Sequence, residues 1–276
     1  MDVIDKTTFE PIQVEESDEV YHFAARFLVP ILPRAERKDY FWQALYVGTV
    51  NVLEWMQEKG LKNMVYYTTD MVYGHTVENP RTSFCANKPL WRGEYQTEHL
   101  ADENREKGFN IILFRPRLII GHGRLWILEK FFKLVDKNLP VPTIGSGRNY
   151  YQFTSVSDCA DACFAAVENK FPNENSYLGS SNPPTVNELL KQLIDEANST
   201  CMLIPTPAFA VKWTLDLLDR IGKPLMDPEQ YWIADETCML DCSKGQCLLG
   251  WTPKDDDTSM LLLAYRDYKA GQSRDI

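Results

Sequence analysis

Residues 48–74 read GTVNVLEWMQEKGLKNMVYYTTDMVYG, and the spacing of their apolar residues indicates the fold class. Its first part completes a helix predicted near 39–59, in which apolar residues recur at helical spacing on more than one face. Its second part, NMVYYTT at 63–69, is a short run rich in β-forming residues and predicts a buried strand. A core helix that leads directly into a buried strand is typical of α/β proteins.

The same alternation continues on both sides of this stretch. EVYHFAA at 19–25 and NIILFRP at 110–116 predict further strands, and a helix near 92–107 lies between two of the strands. Strands that alternate with helices predict a parallel sheet with helices on its faces. Further helices are expected near 124–137, 157–168 and 257–269, and another begins at Thr185, where Glu188 completes a capping box.

Composition excludes several classes of protein. The chain has 276 residues, is 44% hydrophobic and carries a formal charge of −10, so it can bury a large core but does not suit phosphate-driven binding of nucleic acid. No apolar run reaches the length of about 18 to 20 residues that crosses a bilayer. The seven cysteines are scattered and lack zinc-site spacing, which favours reduced thiols, no metal and a cytoplasmic protein.

Several ordered segments resemble one family. DEVYHFAAR, GFNIILFRPRLIIGHG, QFTSVSDCADACFAAVE and YLGSSNPPTVNELLKQL are similar to segments of the extended short-chain dehydrogenase/reductase family, best known for nucleotide-sugar epimerases and dehydratases. The resemblance implies an α/β fold with a truncated Rossmann-like parallel sheet and a smaller C-terminal mixed α/β substrate lobe. It assigns 1–170 to the partial Rossmann-like domain, and 171–276 mainly to the lobe, with interleaved returns to the sheet.

The part of the family fold that binds the cofactor is incomplete in this sequence. Relatives hold the pyrophosphate of NAD(P) on a glycine-rich turn after their first strand, whereas only seventeen residues precede Asp18 here. The fourteen glycines include no GxGxxG pattern, and the nearest candidates are the turns at 121–123 and 145–147. We therefore expect no cofactor in the isolated chain, although the resemblance implies cofactor contacts at four residues: Phe23, Ala24, Ala25 and Arg117.

The catalytic tyrosine and lysine of the family are the decisive test. A phenol is a poor base unless a nearby ammonium lowers its pKa, and the lysine that does so lies four residues further along the same helix. One alignment places Leu90 at the tyrosine position and Glu94 at the lysine position. A shifted alignment makes Tyr95 the phenol with His99 as its partner. Thr69 matches the position of a catalytic serine or threonine in both alignments.

The resemblance also implies a substrate wall, made by Leu118, Arg124, Arg148 and Tyr151. Arginines near this wall could hold a diphosphate through bidentate contacts, so a nucleotide-sugar-like molecule is the expected ligand class. His22, in contrast, is expected to pack beside its strand.

Two functional hypotheses follow. The favoured one is a degenerate, redox-inactive member of the family that acts as a ligand-binding, regulatory or partner subunit. The alternative is an active NAD(P)-dependent epimerase, dehydratase or reductase whose cofactor half comes from another chain or is missing from the gene model. A truncated sheet would expose a strand edge and an apolar face, so we expect a homodimer or a dedicated partner chain.

Overall fold

The computed structural model describes residues 2–26, 32–70, 89–121, 125, 127–226 and 228–272. Its strands are all paired in parallel, and the main sheet has the order β1-β2-β3-β7. Two smaller pairs, β4-β6 and β5-β8, belong to the C-terminal side. The strands are β1 (Glu19–His22), β2 (Asn63–Tyr67), β3 (Asn110–Pro116), β4 (Leu118–Ile120), β5 (Val141–Ile144), β6 (Phe153–Ser155), β7 (Asn175–Leu178) and β8 (Leu203–Thr206).

Helices follow the strands as the alternating pattern predicts. The helix expected near 39–59 begins earlier, at Arg34, and contains a π-helical turn over Gln43–Val47. The α-helices are α1 (Arg34–Trp42), α2 (Gly48–Lys59), α3 (Pro89–Glu106), α4 (Ile127–Asp136), α5 (Val156–Glu168), α6 (Val186–Glu196), α7 (Ala208–Arg220), α8 (Pro228–Tyr231), α9 (Ser243–Leu249) and α10 (Asp257–Gln272). No helix in the described part of the chain is long and apolar enough to span a membrane.

The main sheet is covered on both faces, which explains the near-continuous apolar composition of its central strands. Ile111 and Leu113 of β3 pack with α2, with Ala101 of α3 and with the N-terminal Phe9. Ile112 and Phe114 point to the other face, where they pack with α5 and with Trp251. The α/β fold with a parallel sheet is thus confirmed.

We name the elements α4, β5, α6, β8, α7 and α10 the lobe; two of them precede residue 171, and most of them share a core. Phe132 of α4, Leu193 of α6 and Tyr265 of α10 belong to one buried cluster that also includes Val141 of β5. The capping box predicted at the start of α6 is present: Glu188 N donates to the Thr185 hydroxyl, and Thr185 N donates to the Glu188 carboxylate at 2.8 Å. The chain returns from this side to the main sheet through β7.

Two buried contacts fix the first elements of the chain. The β1 strand ends at His22, three residues earlier than the predicted run, and His22 packs beside its strand as expected. Its Nε2 lies 3.0 Å from the Thr49 hydroxyl of α2. Arg37 of α1 forms a buried ion pair with Asp219 of α7, so this contact joins the sheet half of the molecule to the lobe.

Candidate functional site

A cavity of about 360 Å³ lies between the main sheet and the lobe. One end is formed by residues that follow β2 and β3, and the other end lies among α4, α6 and α10 of the lobe. The carboxyl ends of parallel strands meet at one edge of a sheet, and in open α/β folds ligands bind outside that edge. Both the position and the volume therefore mark this cavity as the candidate ligand site.

The sheet end of the cavity is polar and contains a buried ion pair. Arg117 Nη1 donates to Asp70 Oδ2 at 2.8 Å, and only 3% of each side chain is exposed. Burial opposes the charge of Arg117, but the Asp70 carboxylate together with Cys238 and Tyr151 outweighs this effect, so the pKa of Arg117 is raised. The Thr69 hydroxyl lies 3.5 Å from Asp70 Oδ1. The opposite charges of Arg117 and Asp70 therefore nearly cancel.

Arg117 is only partly satisfied by this pairing. Its Nε and Nη2 atoms are buried and have no hydrogen-bond partner among the described residues. The guanidinium carbon lies 5.0 Å from the centre of the Tyr151 ring, which is a cation–π contact. Burial raises the pKa of Tyr151, against the opposing effect of the arginine, so its phenol is neutral near pH 7. Two donors of a fixed guanidinium therefore remain for a ligand.

The lobe end of the cavity is apolar. Large aliphatic and aromatic side chains from α4, α6 and α10 line it, and several of them also belong to the lobe core. Thr143 of β5 is an exception, because its hydroxyl is buried and has no partner among the described residues. The cavity thus changes along its length from an ion pair to a hydrocarbon-like wall.

Five of the site residues expected from the sequence line this cavity: Ala25, Thr69, Arg117, Leu118 and Tyr151. The others lie elsewhere or are not described. Phe23 is 55% exposed and its ring centre lies 4.8 Å from that of Tyr67, while Ala24 is half-buried in the same loop. Arg148 is exposed and is not among the lining residues. Arg124 lies outside the described residues.

The α3 helix carries the positions of the expected tyrosine and lysine. Glu98 faces the sheet, where it accepts hydrogen bonds from Arg115 and from the Thr68 hydroxyl. Positions 94 and 90 precede Glu98 by about one and two helical turns, so they continue the same stripe of the helix. Positions 90 and 94, which the first alignment matches to the tyrosine and the lysine, therefore lie on the same stripe of the helix as Glu98. The side chains of Leu90 and Glu94 lie outside the described residues.

Tyr95 belongs to a different face of α3. Its ring lies edge-on to His99, with ring centres 4.5 Å apart. His99 is exposed, and neither residue is among those that line the cavity. The shifted alignment therefore pairs two residues that contact each other, and neither of them is among the described residues that line the cavity.

Protein side chains fill the space beside two glycines of the candidate turns. A Cβ atom at Gly121 would lie 2.7 Å from Val156, so a protein side chain fills the space that a cofactor would need. Gly147 has φ +67°, and Asn187 occupies the space before it while donating to the Ser146 carbonyl at 2.9 Å. Gly121 and Gly147 thus permit close packing within the protein, while 122–124 lie outside the described residues.

Sequence reasoning alone missed the partner of Arg117 and the apolar end of the cavity. Asp70 lies three residues after the end of β2, and polar residues beyond the end of a parallel strand are a usable signal of a site. The apolar end carried no such signal, because its residues come from three helices and have the spacing of ordinary core positions.

Comparison with known proteins identifies the family. The family model described as NAD dependent epimerase/dehydratase matches residues 1–178. UDP-glucose 4-epimerase of Vibrio cholerae is 21% identical over 270 residues, which cover 91% of this chain and 76% of that protein. An uncharacterized protein of Sinorhizobium fredii is 28% identical over 261 residues, and this match covers 93% of the chain but 64% of the relative. The chain thus spans less than two thirds of that relative.

Solved structures agree on the fold. The UDP-glucose 4-epimerase of Thermotoga maritima with UDP-glucose superimposes with a TM-score of 0.75 at 20% identity, covering 99% of this chain and 84% of that one. The Pseudomonas aeruginosa protein RMD complexed with NADPH gives a TM-score of 0.76 at 17% identity, covering 98% and 87%. The chain belongs to the NAD-dependent epimerase/dehydratase family and has its Rossmann-like α/β fold.

Proposed function

We propose that this member of the NAD-dependent epimerase/dehydratase family binds a small molecule in the cavity between sheet and lobe and does not transfer hydride. One observation carries the proposal. The α3 helix contains a single tyrosine, Tyr95, and no lysine, and Tyr95 lies against His99 rather than among the residues that line the cavity.

The chemical reason is the control of proton transfer. Hydride exchange at a hydroxyl-bearing carbon requires a base for the hydroxyl proton, and a phenol serves only when a cation lowers its pKa. A carboxylate at the lysine position, as Glu94 provides, would raise the pKa of a neighbouring phenol instead. Thr69 retains a hydroxyl at the end of β2, but a neutral hydroxyl alone cannot accept that proton at neutral pH.

The cofactor side supports the same proposal. The spaces before Gly121 and Gly147 are filled by Val156 and Asn187, and the guanidinium expected near the cofactor, Arg117, is held by Asp70. Solved relatives with NAD(P) share the fold at identities that support no transfer of their activity to this chain. The ligand-binding, regulatory or partner role is therefore preferred to catalysis.

Titration of the purified chain with NADPH, followed by its fluorescence, tests this proposal. We expect no saturable fluorescence signal and no thermal shift. Binding would be easy to detect, because a nucleotide at a hundred times its Kd stabilises the folded state by about 2.7 kcal/mol. A nucleoside diphosphate sugar should cause no reduction of added NAD. Saturable NADPH binding together with turnover would overturn the proposal and favour an active enzyme, and Thr69→Ala would then lower the rate.

We propose in addition that the chain assembles through α1 and α3, either with a second copy or with a dedicated partner. Trp42 and Tyr46 stack with ring centres 4.4 Å apart near the end of α1, and they are half-exposed, as is Tyr95 on α3. Aromatic side chains at a helix surface are enriched in protein interfaces. A dimer by light scattering at micromolar concentration, and its loss in Trp42→Glu, is the result expected for a second copy; a monomeric wild-type chain would contradict self-assembly and leave only a partner chain.

A further inference from the structure

The contrast between the two ends of the cavity specifies the chemistry of its ligand. The lobe end is lined by side chains that offer no hydrogen bonds, among them Leu128 and Phe131 of α4, Leu190 and Leu193 of α6, and Leu261 of α10. Leu193 and Leu261 are almost completely buried although they line the cavity. This arm is therefore enclosed, and it favours a molecule that gains by removing apolar surface from water.

The sheet end offers two specific donors. Nε and Nη2 of Arg117 are buried without a partner among the described residues, whereas Nη1 is held by Asp70 at 2.8 Å. Buried donors are rarely left unsatisfied, and each such case requires an explanation. An oxygen of a bound molecule would satisfy both donors, because a guanidinium presents them in a fixed, planar arrangement.

Charge disfavours a nucleotide diphosphate at this end. Asp70 offsets the charge of Arg117, and the other cation among the described lining residues is Arg26. Arg26 is already engaged with Tyr40, because it donates to the Tyr40 carbonyl at 3.3 Å and lies 4.5 Å from the centre of the ring. A doubly charged diphosphate would lie beside the Asp70 carboxylate, and the second cation, Arg26, is already engaged with Tyr40. A single oxygen acceptor needs only the two donors of Arg117 that have no described partner.

We propose that the cavity binds an elongated, mainly apolar molecule with one terminal oxygen acceptor, a carboxylate or a carbonyl, seated on Arg117. Its hydrocarbon part would occupy the arm between α4, α6 and α10. The inference rests on the proposed function, because it names the ligand class of the same cavity. The unpartnered Thr143 hydroxyl provides a second, weaker polar point along the arm.

Calorimetric titration of the full chain with dodecanoic acid, dodecanal and UDP tests the proposal. We expect saturable binding of the acid or the aldehyde and none of UDP. The variant Asp70→Asn/Arg117→Gln removes the guanidinium donors without leaving a lone buried charge, and it should bind the oxygen-bearing ligand about tenfold more weakly, which corresponds to the loss of one good hydrogen-bonded contact. The relative affinity of acid and aldehyde identifies the head group.

A second variant tests the arm. Ile144 lines the cavity and is half-buried at the end of β5, so Ile144→Trp should shorten the available space and fold normally. We expect it to weaken dodecanoic acid about tenfold and hexanoic acid little, and a general loss of folding would not produce this dependence on chain length. Melting curves of each variant separate lost binding from unfolding.

Contrary results have distinct meanings. Binding of UDP in preference to both dodecyl compounds, or binding of neither class, overturns the inference about the ligand. NADPH measured in the same samples reports separately on the proposed function. NADPH binding with turnover, while an apolar ligand still binds, would overturn the absence of redox chemistry and leave the ligand class standing.

Discussion

Arg115 and Arg117 are separated by one proline and both lie in buried ion pairs, but the two sites are built differently. Arg115 donates from Nε and Nη2 to both oxygens of Glu98, at 2.7 and 2.5 Å, and from Nη1 to the Tyr177 hydroxyl at 3.3 Å. Arg117 makes one bond to Asp70 and leaves two donors without a partner among the described residues. The Arg115–Glu98 pair joins α3 to β3. The Arg117–Asp70 pair leaves two donors that a ligand would satisfy.

This comparison locates the function. A fully satisfied buried ion pair fixes the geometry of the fold. A partly satisfied pair at the end of a cavity leaves hydrogen-bond donors that a ligand can use. Variants at Arg115 and Arg117 should therefore differ in the free energy of unfolding, and variants at His22 and Thr185 provide a scale for that difference. They run from the largest expected change in the free energy of unfolding to the smallest.

Removal of the Arg115 side chain should have the largest effect. Arg115→Met would leave the Glu98 carboxylate buried without its main partner, and we expect the free energy of unfolding to fall by about 3 to 5 kcal/mol. Urea denaturation of the variant and of wild type gives the difference. The double variant Glu98→Met/Arg115→Met is the control, since it leaves no lone charge and should recover most of the loss. If Arg115→Met lowered the free energy of unfolding by less than Arg117→Met does, the proposed difference between the two arginines would be wrong.

His22 extends the comparison to a buried group that is satisfied without any charge. Burial lowers the pKa of His22 to about 4 from 6.5, so the folded state keeps it neutral while the unfolded chain takes up a proton below about pH 6.5. Stability is therefore fully present above pH 6.5 and falls as the pH drops toward 4, by about 3 kcal/mol in total.

Replacement of His22 isolates this contribution. His22→Gln retains a hydrogen-bonding side chain beside Thr49 and removes the titration. Urea denaturation from pH 7 to 4 gives the difference in unfolding free energy between wild type and variant. Contributions from the carboxylates that both proteins share cancel in this difference, so its change with pH reports on His22. A constant difference would show that His22 does not resist protonation in the folded state.

Arg117→Met should cost less than Arg115→Met. It leaves Asp70 unpaired, but it also removes two unsatisfied donors, so we expect a net loss of about 1 to 3 kcal/mol. The same variant should lose the ligand affinity of the cavity, whereas Arg115 variants that remain folded should retain it. Equal stability costs at the two sites would mean that Arg117 is as well satisfied as Arg115.

A helix cap in the lobe provides the smallest expected change and a scale for the others. Thr185→Ala removes one half of the capping box of α6, with an expected cost of about 1 kcal/mol. Thr185→Ser keeps the hydroxyl and should be close to wild type. Urea denaturation that shows no difference between the two variants would mean that the box contributes nothing to stability.

The sequence allowed the sheet to be predicted because buried parallel strands and amphipathic helices have distinct spacings. NIILFRP was expected as a strand and forms β3, and the cap at Thr185 was recognised from four residues. The site was less accessible. Thr69 and Arg117 were selected by their match to positions of the family, but the approach of Asp70 to Arg117 depends on how two neighbouring strands end in space, and residue spacing does not encode this distance.

The apolar arm could not be predicted for a related reason. Leu128, Leu193 and Leu261 lie on α4, α6 and α10, and each has the helical spacing of a core residue. Whether such residues fill a core or line a cavity depends on the space left between helices, which is a property of tertiary packing. A sequence pattern therefore identifies these positions as buried but does not reveal the ligand.

Native mass spectrometry of the purified chain separates these outcomes best, because it reports bound nucleotide, other ligands and assembly in one spectrum. We expect a protein free of dinucleotide that takes up one apolar molecule with an oxygen head group, and we expect Asp70→Asn/Arg117→Gln to bind that molecule about tenfold more weakly. A wild-type chain that carries NAD(P) through purification would contradict this expectation.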